Sequence, residues 1–340
     1  IGKTVIWKKD LSLAVKHQQH LPPSNLELYK VDKKGNRVLF ASVDNEGNII
    51  LNETVIEVIY KNFQQVLEFR IGDIRSYKDV CSAMRGADIV INAAALKQVP
   101  TCEYFPEQAI ATNASGVNNL VRAINEGRND VETLIGISTD KAVKPINVMG
   151  MTKALQERII VAGNIMNPKT RFICVRYGNV MGSRGSVIPI LLTQNKNKKL
   201  PFTITDKRMT RFNITLKESI QMVDWAFNNS LGGEIFVPKI PSTSIMDLAK
   251  ALAPEMPTKT IGIRPGEKIH EVLLTKDEAR HSLEFDDRYI IEPEFVFWEK
   301  SRQPYEKAHP VPKNFQYDSA SNSWRLTVGS LRSLLETSKD

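Results

Sequence analysis

An alcohol, a carboxyl group and an amine follow one another in Thr139, Asp140 and Lys141, directly after Ser138. Consecutive residues leaving a strand point in different directions, so this trio can surround a ligand instead of lining one side of it. An Asp and a Lys in a shielded cleft shift each other's pKa values and can work as an acid and base pair. Further on, Lys153 stands in the first turns of a predicted helix whose amino end faces the same cleft. In isolation an Asp-Lys dipeptide at a strand end is a surface ion pair worth ~0–1 kcal/mol. Its neighbours reverse that reading.

The elements that must position these groups show in the alternation of apolar runs with helical stretches. Residues 3–7, 26–31, 66–71, 88–92, 133–138 and 171–176 read as strands, and 106–125 and 152–164 carry helical spacing. This alternation predicts an α/β fold with a doubly wound, Rossmann-like parallel sheet. Ligands of such sheets collect beyond the carboxyl ends of the strands. Asp73, Asn92, the 138–141 segment and Tyr177 to Asn179 all follow predicted strand ends. Residues 1–181 are therefore expected to form the cofactor domain, with later segments returning to it. Residues 182–292 are expected to form mainly a smaller substrate-binding lid. They open on a flexible loop at 182–186 and include a polar strand and turn at 203–211. Residues 293–340 form a tail whose 327–336 stretch reads as an amphipathic helix.

Composition narrows the classes of function. The 340-residue chain is 42% hydrophobic and 25% charged, as expected of a protein that buries a core, which argues against disorder. Its net charge of +8 is spread along the chain, and no nucleic-acid-binding motif accompanies it. A basic balance of this kind suits an anionic small substrate. Three cysteines are too few and scattered for a disulfide framework, and Cys81 and Cys174 read as core thiols. The five histidines have no metal-ligand spacing, so no metal is expected. No apolar stretch approaches the roughly 18 residues of a membrane helix. A cytoplasmic protein without leader, membrane segment or nucleic-acid partner is the expectation.

Asn92-Ala-Ala-Ala95, Ser138-Thr-Asp-Lys141, Lys153 and Arg176-Tyr-Gly-Asn-Val180 together resemble the extended short-chain dehydrogenases that modify nucleotide sugars. More narrowly, Ala93-Ala-Ala-Leu-Lys-Gln-Val-Pro100 and Arg264-Pro-Gly-Glu-Lys-Ile-His-Glu271 resemble the UDP-N-acetylglucosamine 4,6-dehydratases, within a match over 72–292. The resemblance implies a redox-neutral reaction on one bound nucleotide sugar. NAD or NADP, tightly bound and regenerated each turnover, takes hydride from C4 and returns it to C6 after water is lost across C5 and C6. By the same resemblance Asp140 is the acid, Lys141 the base at C5, Thr139 the holder of the 4-oxygen and Lys153 a ligand of the nicotinamide ribose. Asp73, Ile74, Asn92, Ala93 and Ala94 would line the cofactor. Arg211 and Arg264 would clamp the diphosphate, since the guanidinium fork meets phosphate oxygens in pairs. Asn179 and Glu267 would contact other parts of the nucleotide, Lys97 would enter the sugar pocket, and Asn113 would fix backbone. A homo-oligomer is implied as well.

Two departures accompany the resemblance. Most relatives have Tyr where this chain has Met149, and a thioether carries no exchangeable proton. Asp140 or Lys141, directly or through a water, is then expected to take the 4-hydroxyl proton. The second departure is at the first strand, where a Gly-rich turn should let backbone amides approach a pyrophosphate. No glycine stands between Gly2 and Gly35. Three explanations fit: a rebuilt turn using Lys8 and Lys9, a chain that no longer binds a dinucleotide, or a segment that does not represent the natural one. A nucleotide-sugar 4-epimerase on the same scaffold is the alternative, but it has no need of the Asp140–Lys141 pair, which argues for dehydration. A silent nucleotide-sugar-binding relative is another.

Overall fold

The computed structural model describes residues 70, 72–127, 130–183, 191, 201–294, 305 and 307–337, with strands at 4–7, 28–31, 37–43 and 49–51. The strands nearest the N-terminus depart from the expected pattern. β1 (Thr4–Trp7) joins the main sheet but runs antiparallel to the strand beside it, with Thr4 opposite Asn92. β2 (Leu28–Val31) is not in that sheet. It pairs antiparallel with β3 (Arg37–Val43), which pairs antiparallel with β4 (Ile49–Leu51). Only five residues, 32–36, separate β2 from β3. Parallel pairing needs a crossover of about a dozen or more, so so short a link permits only a hairpin. Of the strand expected at 66–71, only Arg70 is described, and it lies outside any strand.

The centre of the main sheet is as anticipated. β5 (Ile89–Asn92), β6 (Thr133–Thr139) and β7 (Arg171–Tyr177) are parallel neighbours. Most residues of β6 and β7 are buried, which is why they read as continuous apolar runs without alternation. β6 and β7 stay in register from Thr133–Arg171 to Thr139–Tyr177, so their carboxyl ends finish side by side. The 106–125 stretch contains the helices Pro106–Ile110 and Gly116–Asn125, joined by a π-helical turn at Ala111–Ser115. The helix Val148–Met166 begins earlier than its apolar spacing suggested, because Asn147 caps it by accepting from the Gly150 amide at 2.7 Å.

The later segments are shared between this sheet and smaller ones. β8 (Asn179–Val180), β9 (Phe202–Ile204) and β10 (Thr210–Ile214) come next, and β8 runs parallel to β10. β11 (Ile235–Pro238) extends the main sheet parallel to β7, while β12 (Ser242–Ser244) pairs with β10 and β13 (Thr258–Thr260) with β9. β14 (Val272–Leu274) precedes β15 (Ser282–Glu284), β16 (Arg288–Ile291) and β17 (His309–Pro310), which complete the main sheet as antiparallel strands. β18 (Tyr317–Asp318) pairs with β14.

One core joins the face of the sheet under Gly116–Asn125 to the β14–β18 pair, through Val117, Leu120, Ile160, Phe172 and Phe212. A second lies on the opposite face under the helix Leu216–Asn229, around Ile135, Ile173 and Phe236. The tail helix forms at Val328–Thr337, and Leu331 enters a third cluster with Phe202, Ile204 and Leu248. Burying each such side chain contributes ~1.5–3 kcal/mol. Among the described residues no helix is long and apolar enough to cross a membrane, and no His/Cys/Asp/Glu group is arranged to hold a metal ion.

Candidate active site

The end of β6 turns sharply into a single 3₁₀ turn, Asp140–Ala142. Thr139 caps that turn: its Oγ1 accepts from the Lys141 amide at 3.4 Å and donates to Asp140 Oδ1 at 3.0 Å. Asp140 is fully buried. Its Oδ1 also receives Lys141 Nζ at 3.0 Å, while its Oδ2 is buried with no hydrogen-bond partner among the described residues. Lys141 Nζ donates in addition to Asn179 Oδ1 at 3.0 Å, across from β8. Thr139, Asp140, Lys141 and Asn179 therefore form one cluster, drawn from adjacent strand ends.

Burial works against the Lys141 charge, but the carboxylates of Asp140 and Glu271 outweigh it and hold the ammonium group above its ordinary value. Lys141 is thus protonated in the resting ion pair.

Two glycines allow this close packing. A Cβ on Gly150 would lie 2.2 Å from the Lys141 carbonyl oxygen, so the helix can press on the 140–142 turn only because Gly150 has none. Gly150→Ala is expected to push the Lys141 peptide away and to lower turnover at least about tenfold, since small misplacements in an active site are costly. Steady-state kinetics and a thermal melt on the same preparation check this. Gly266 sits at φ 77°, and its carbonyl accepts from Asn147 Nδ2 at 2.7 Å. Asn147 thus caps the helix and holds the 264–271 segment with one side chain.

That segment wraps the turn more closely than its sequence suggested. Lys268 Nζ donates to the Val143 carbonyl at 2.5 Å. Glu271 is 2% exposed, and its carboxylate faces Lys141 Nζ at 3.9 Å, Arg211 Nε at 3.8 Å and Lys268 Nζ at 3.7 Å. Neither Glu271, Lys268 nor Asn147 was singled out from the sequence. Two of them stand inside the Arg264–Glu271 motif, and Asn147 is a capping residue just before an apolar helix start, so the signals were present.

Lys153 is buried on the same helix, donating to the Ile137 carbonyl at 2.5 Å and to Gln156 Oε1 at 2.6 Å. Burial pushes its ammonium down from the ordinary 10.5 to about 8, against the opposing influence of Glu157. The folded chain then holds fewer protons than the unfolded chain between those values, so stability must rise with pH across that window. Below about 8 the cost of the buried charge is fully present. In urea denaturation, wild type should gain on Lys153→Met by up to about 3 kcal/mol between pH 7 and pH 10.

The other expected site residues are dispersed. Met149 is buried in an apolar cluster with Cys102 and Ala109, consistent with a thioether that moves no proton. Tyr177 lies beside Thr139 in register, and burial pushes its hydroxyl up to about 12. Arg211, expected on the diphosphate, directs its guanidinium at the carbonyls of Thr210, Lys268 and Ile269 at 2.8–3.0 Å. Arg264 is half exposed, 3.8 Å from Glu267. Lys97 and Ala93 are exposed and Ala94 is buried. Asp73 is bound by Arg75, whose hydrogen bonds hold the carboxyl below its usual range, and Ile74 packs on the core. Asn92 Oδ1 accepts from the Ala94 amide at 3.2 Å, while its Nδ2 is buried without a partner among the described residues. Asn113, in the π-helical turn, grips both polar atoms of the Leu96 backbone and Thr152 Oγ1 at 2.7–3.0 Å, so it fixes backbone as anticipated.

Below the turn, Ser138 Oγ donates to Glu157 at 2.5 Å. Arg176 clamps the same Glu157 through two nitrogens at 2.7 and 2.9 Å, and bonds Glu278 at 2.9 Å and the Leu273 carbonyl at 2.9 Å. One buried guanidinium thus ties together β6, β7, the Val148–Met166 helix and β14.

A mixed sheet with a parallel centre and crossover helices, carrying a Thr-Asp-Lys turn at a strand end and a buried helix lysine, is the architecture of an extended short-chain dehydrogenase/reductase. Residues 30–293 match the polysaccharide biosynthesis protein family, and the chain belongs to it. It is 44% identical over 265 residues to a protein of Campylobacter jejuni named UDP-N-acetylglucosamine 4,6-dehydratase (inverting), covering 75% of this chain and 78% of that one. It is also 47% identical over 232 residues to a Rickettsia conorii protein named UDP-glucose 4-epimerase, covering 66% and 67%. The X-ray structure of Pen from Bacillus thuringiensis superposes with a TM-score of 0.74 at 35% identity, covering 84% of this chain and 87% of that one.

Proposed function

We propose that the chain is an NAD(P)-dependent UDP-N-acetylglucosamine 4,6-dehydratase acting with inversion at C5. The observation that carries this reading is the buried Asp140, one oxygen bonded to Lys141 and the other without a hydrogen-bond partner among the described residues. An acid and base side by side are what loss of water across C5 and C6 requires. The name of the Campylobacter relatives supports both the reaction and its stereochemistry.

At the carboxyl end of β5, the orphaned Asn92 Nδ2 gives a nicotinamide dinucleotide a buried donor to satisfy, and the buried helix lysine Lys153 would hold its ribose. The first strand does not fit the usual cradle: β1 is antiparallel, and residues 8–27, which contain Lys8 and Lys9, lie outside the described residues. When bound, the cofactor would supply reversible hydride transfer, from C4 and back to C6. The chain does the rest. Thr139 holds the 4-oxygen, and Asp140 Oδ2 takes the 4-hydroxyl proton, which the Met149 thioether cannot do. Lys141 removes the C5 proton from the resulting ketone, and Asp140 passes its proton to the departing 6-hydroxyl. Arg264 and Arg211 clamp the diphosphate, with Glu267, Asn179 and Lys97 about the rest of the substrate, and Arg211 also braces the loop that carries Arg264 and Glu267.

In this reading residues 182–292 serve mainly as the nucleotide-sugar lid, beside a cofactor domain at 1–181 and a tail at 293–340. Exposed Tyr104, Phe105 and Ile110, with Met151, Leu155 and Met166 on the neighbouring helix, support a homo-oligomer.

Incubation with UDP-N-acetylglucosamine and NAD or NADP in D₂O, followed by NMR, tests the proposal. The expected product is a 6-deoxy-4-keto sugar with deuterium at an inverted C5. The Rickettsia relatives favour a second reading, 4-epimerisation. A C4 epimer that keeps its 6-hydroxyl would establish it, and absence of turnover with either cofactor would point to the silent relative.

A further inference from the structure

A base must be neutral when it acts, and Lys141 is held charged in the resting site. The groups facing its ammonium are Asp140 on its own turn, Asn179 from β8, Arg211 from β10, and Lys268 and Glu271 from the segment before β14. Asp140 cannot relieve Lys141 of its proton, because the 4-hydroxyl proton occupies it at that stage. Glu271 is the remaining carboxylate. It is buried, its Oε1 lies 3.9 Å from Lys141 Nζ, and its other oxygen, Oε2, 3.7 Å from Lys268 Nζ, has no hydrogen-bond partner among the described residues. The three cations around it stand at 3.7–3.9 Å, beyond hydrogen-bond length, so the carboxylate is held by charge without being saturated.

We infer that Glu271 is a positioning residue that acts through Lys141, storing the Lys141 proton while Lys141 serves as the base. This rests on the dehydratase reading. The proton count closes. Asp140 takes the 4-hydroxyl proton; loss of its negative charge removes part of what holds Lys141 charged, and the Lys141 proton passes to Glu271. Neutral Lys141 then takes the C5 proton as Asp140 protonates the leaving hydroxyl, which departs as water. C5 receives a solvent proton on its opposite face, and Glu271 returns its proton to solvent. The resting state is restored: Lys141 charged, Asp140 and Glu271 ionised.

The tests are the pH dependence of kcat for wild type, Glu271→Gln and Glu271→Asp, and the titration of Lys141 in ¹³C-lysine-labelled protein without substrate. Wild type should be flat between pH 7 and pH 9. Glu271→Gln, which must shed the proton to water, should lose roughly tenfold or more at pH 7 and recover toward wild type by about tenfold per pH unit. Glu271→Asp should keep the flat profile. Independently of turnover, the Lys141 resonance should titrate at lower pH in Glu271→Gln. It should titrate at higher pH in Lys268→Gln, where a cation competing for Glu271 is gone. A pH-independent loss in Glu271→Gln, or a Lys141 midpoint unmoved in both variants, overturns the inference. Should Glu271→Gln not fold, the Lys268→Gln titration decides it alone. Inactive wild type overturns the dehydratase reading but leaves the Lys141 titrations decisive for the coupling.

Discussion

Asp140→Asn is expected to lower turnover of UDP-N-acetylglucosamine by ~10²–10⁴-fold with little change in the fold, the range that positioned acid–base groups contribute. The amide is close in shape to the carboxylate, so it can still accept from Thr139 Oγ1 and Lys141 Nζ through one oxygen. What it cannot do is take the 4-hydroxyl proton or deliver one to the leaving hydroxyl. Lys141→Ala should fall by a similar factor for the complementary reason, since no other buried amine reaches Asp140 at hydrogen-bond distance among the described residues. The check is single-turnover formation of the 6-deoxy-4-keto product alongside thermal melts. Near wild-type turnover in both variants would remove the Asp140–Lys141 pair from the chemistry altogether. A loss in Lys141→Ala alone would assign the proton transfers to a water.

Arg176→Met should be the most damaging change to the fold, at about 3–5 kcal/mol, because removing one partner leaves the others buried and charged. The side chain is 2% exposed and satisfies Glu157, Glu278 and the Leu273 carbonyl together. Methionine fills much of the volume and neutralises none of the charge. Adding Glu157→Gln to Arg176→Met should recover part of the loss, a non-additivity expected of groups in one network. Urea midpoints at constant slope measure both effects. A cost below about 1 kcal/mol for the single change would mean that the cluster is wetter than its burial indicates. Because Ser138 bonds the same Glu157, the variant should also lose activity beyond what unfolding explains.

Particular residues show which features could be read in advance. The strands at 88–92, 133–138 and 171–176 were legible because parallel strands covered on both faces leave long apolar runs. The Thr139–Lys141 turn was legible because its members are neighbours in the chain, and so was the Asn113 backbone clamp through the resemblance. β2 was assigned to the wrong sheet, since a short apolar run looks the same in either sheet and the length of the next link decides the pairing. Arg211 shows another limit: its hydrogen bonds to the Lys268 and Ile269 carbonyls join segments far apart in the chain, which local spacing does not reveal.

Sequence alone determined that an acid, a base and a hydroxyl leave one buried strand together, that a lysine follows on a helix, and that no phenol stands between them. Those are local facts, carried by spacing. Only the tertiary structure decided that Asp140 keeps one oxygen unpartnered among the described residues, that Gly150 lets the helix press on the Lys141 carbonyl, and that Glu271 meets Lys141 from a distant segment. Burial and through-space charge set these, and both depend on which segments pack together, which local residue spacing does not encode.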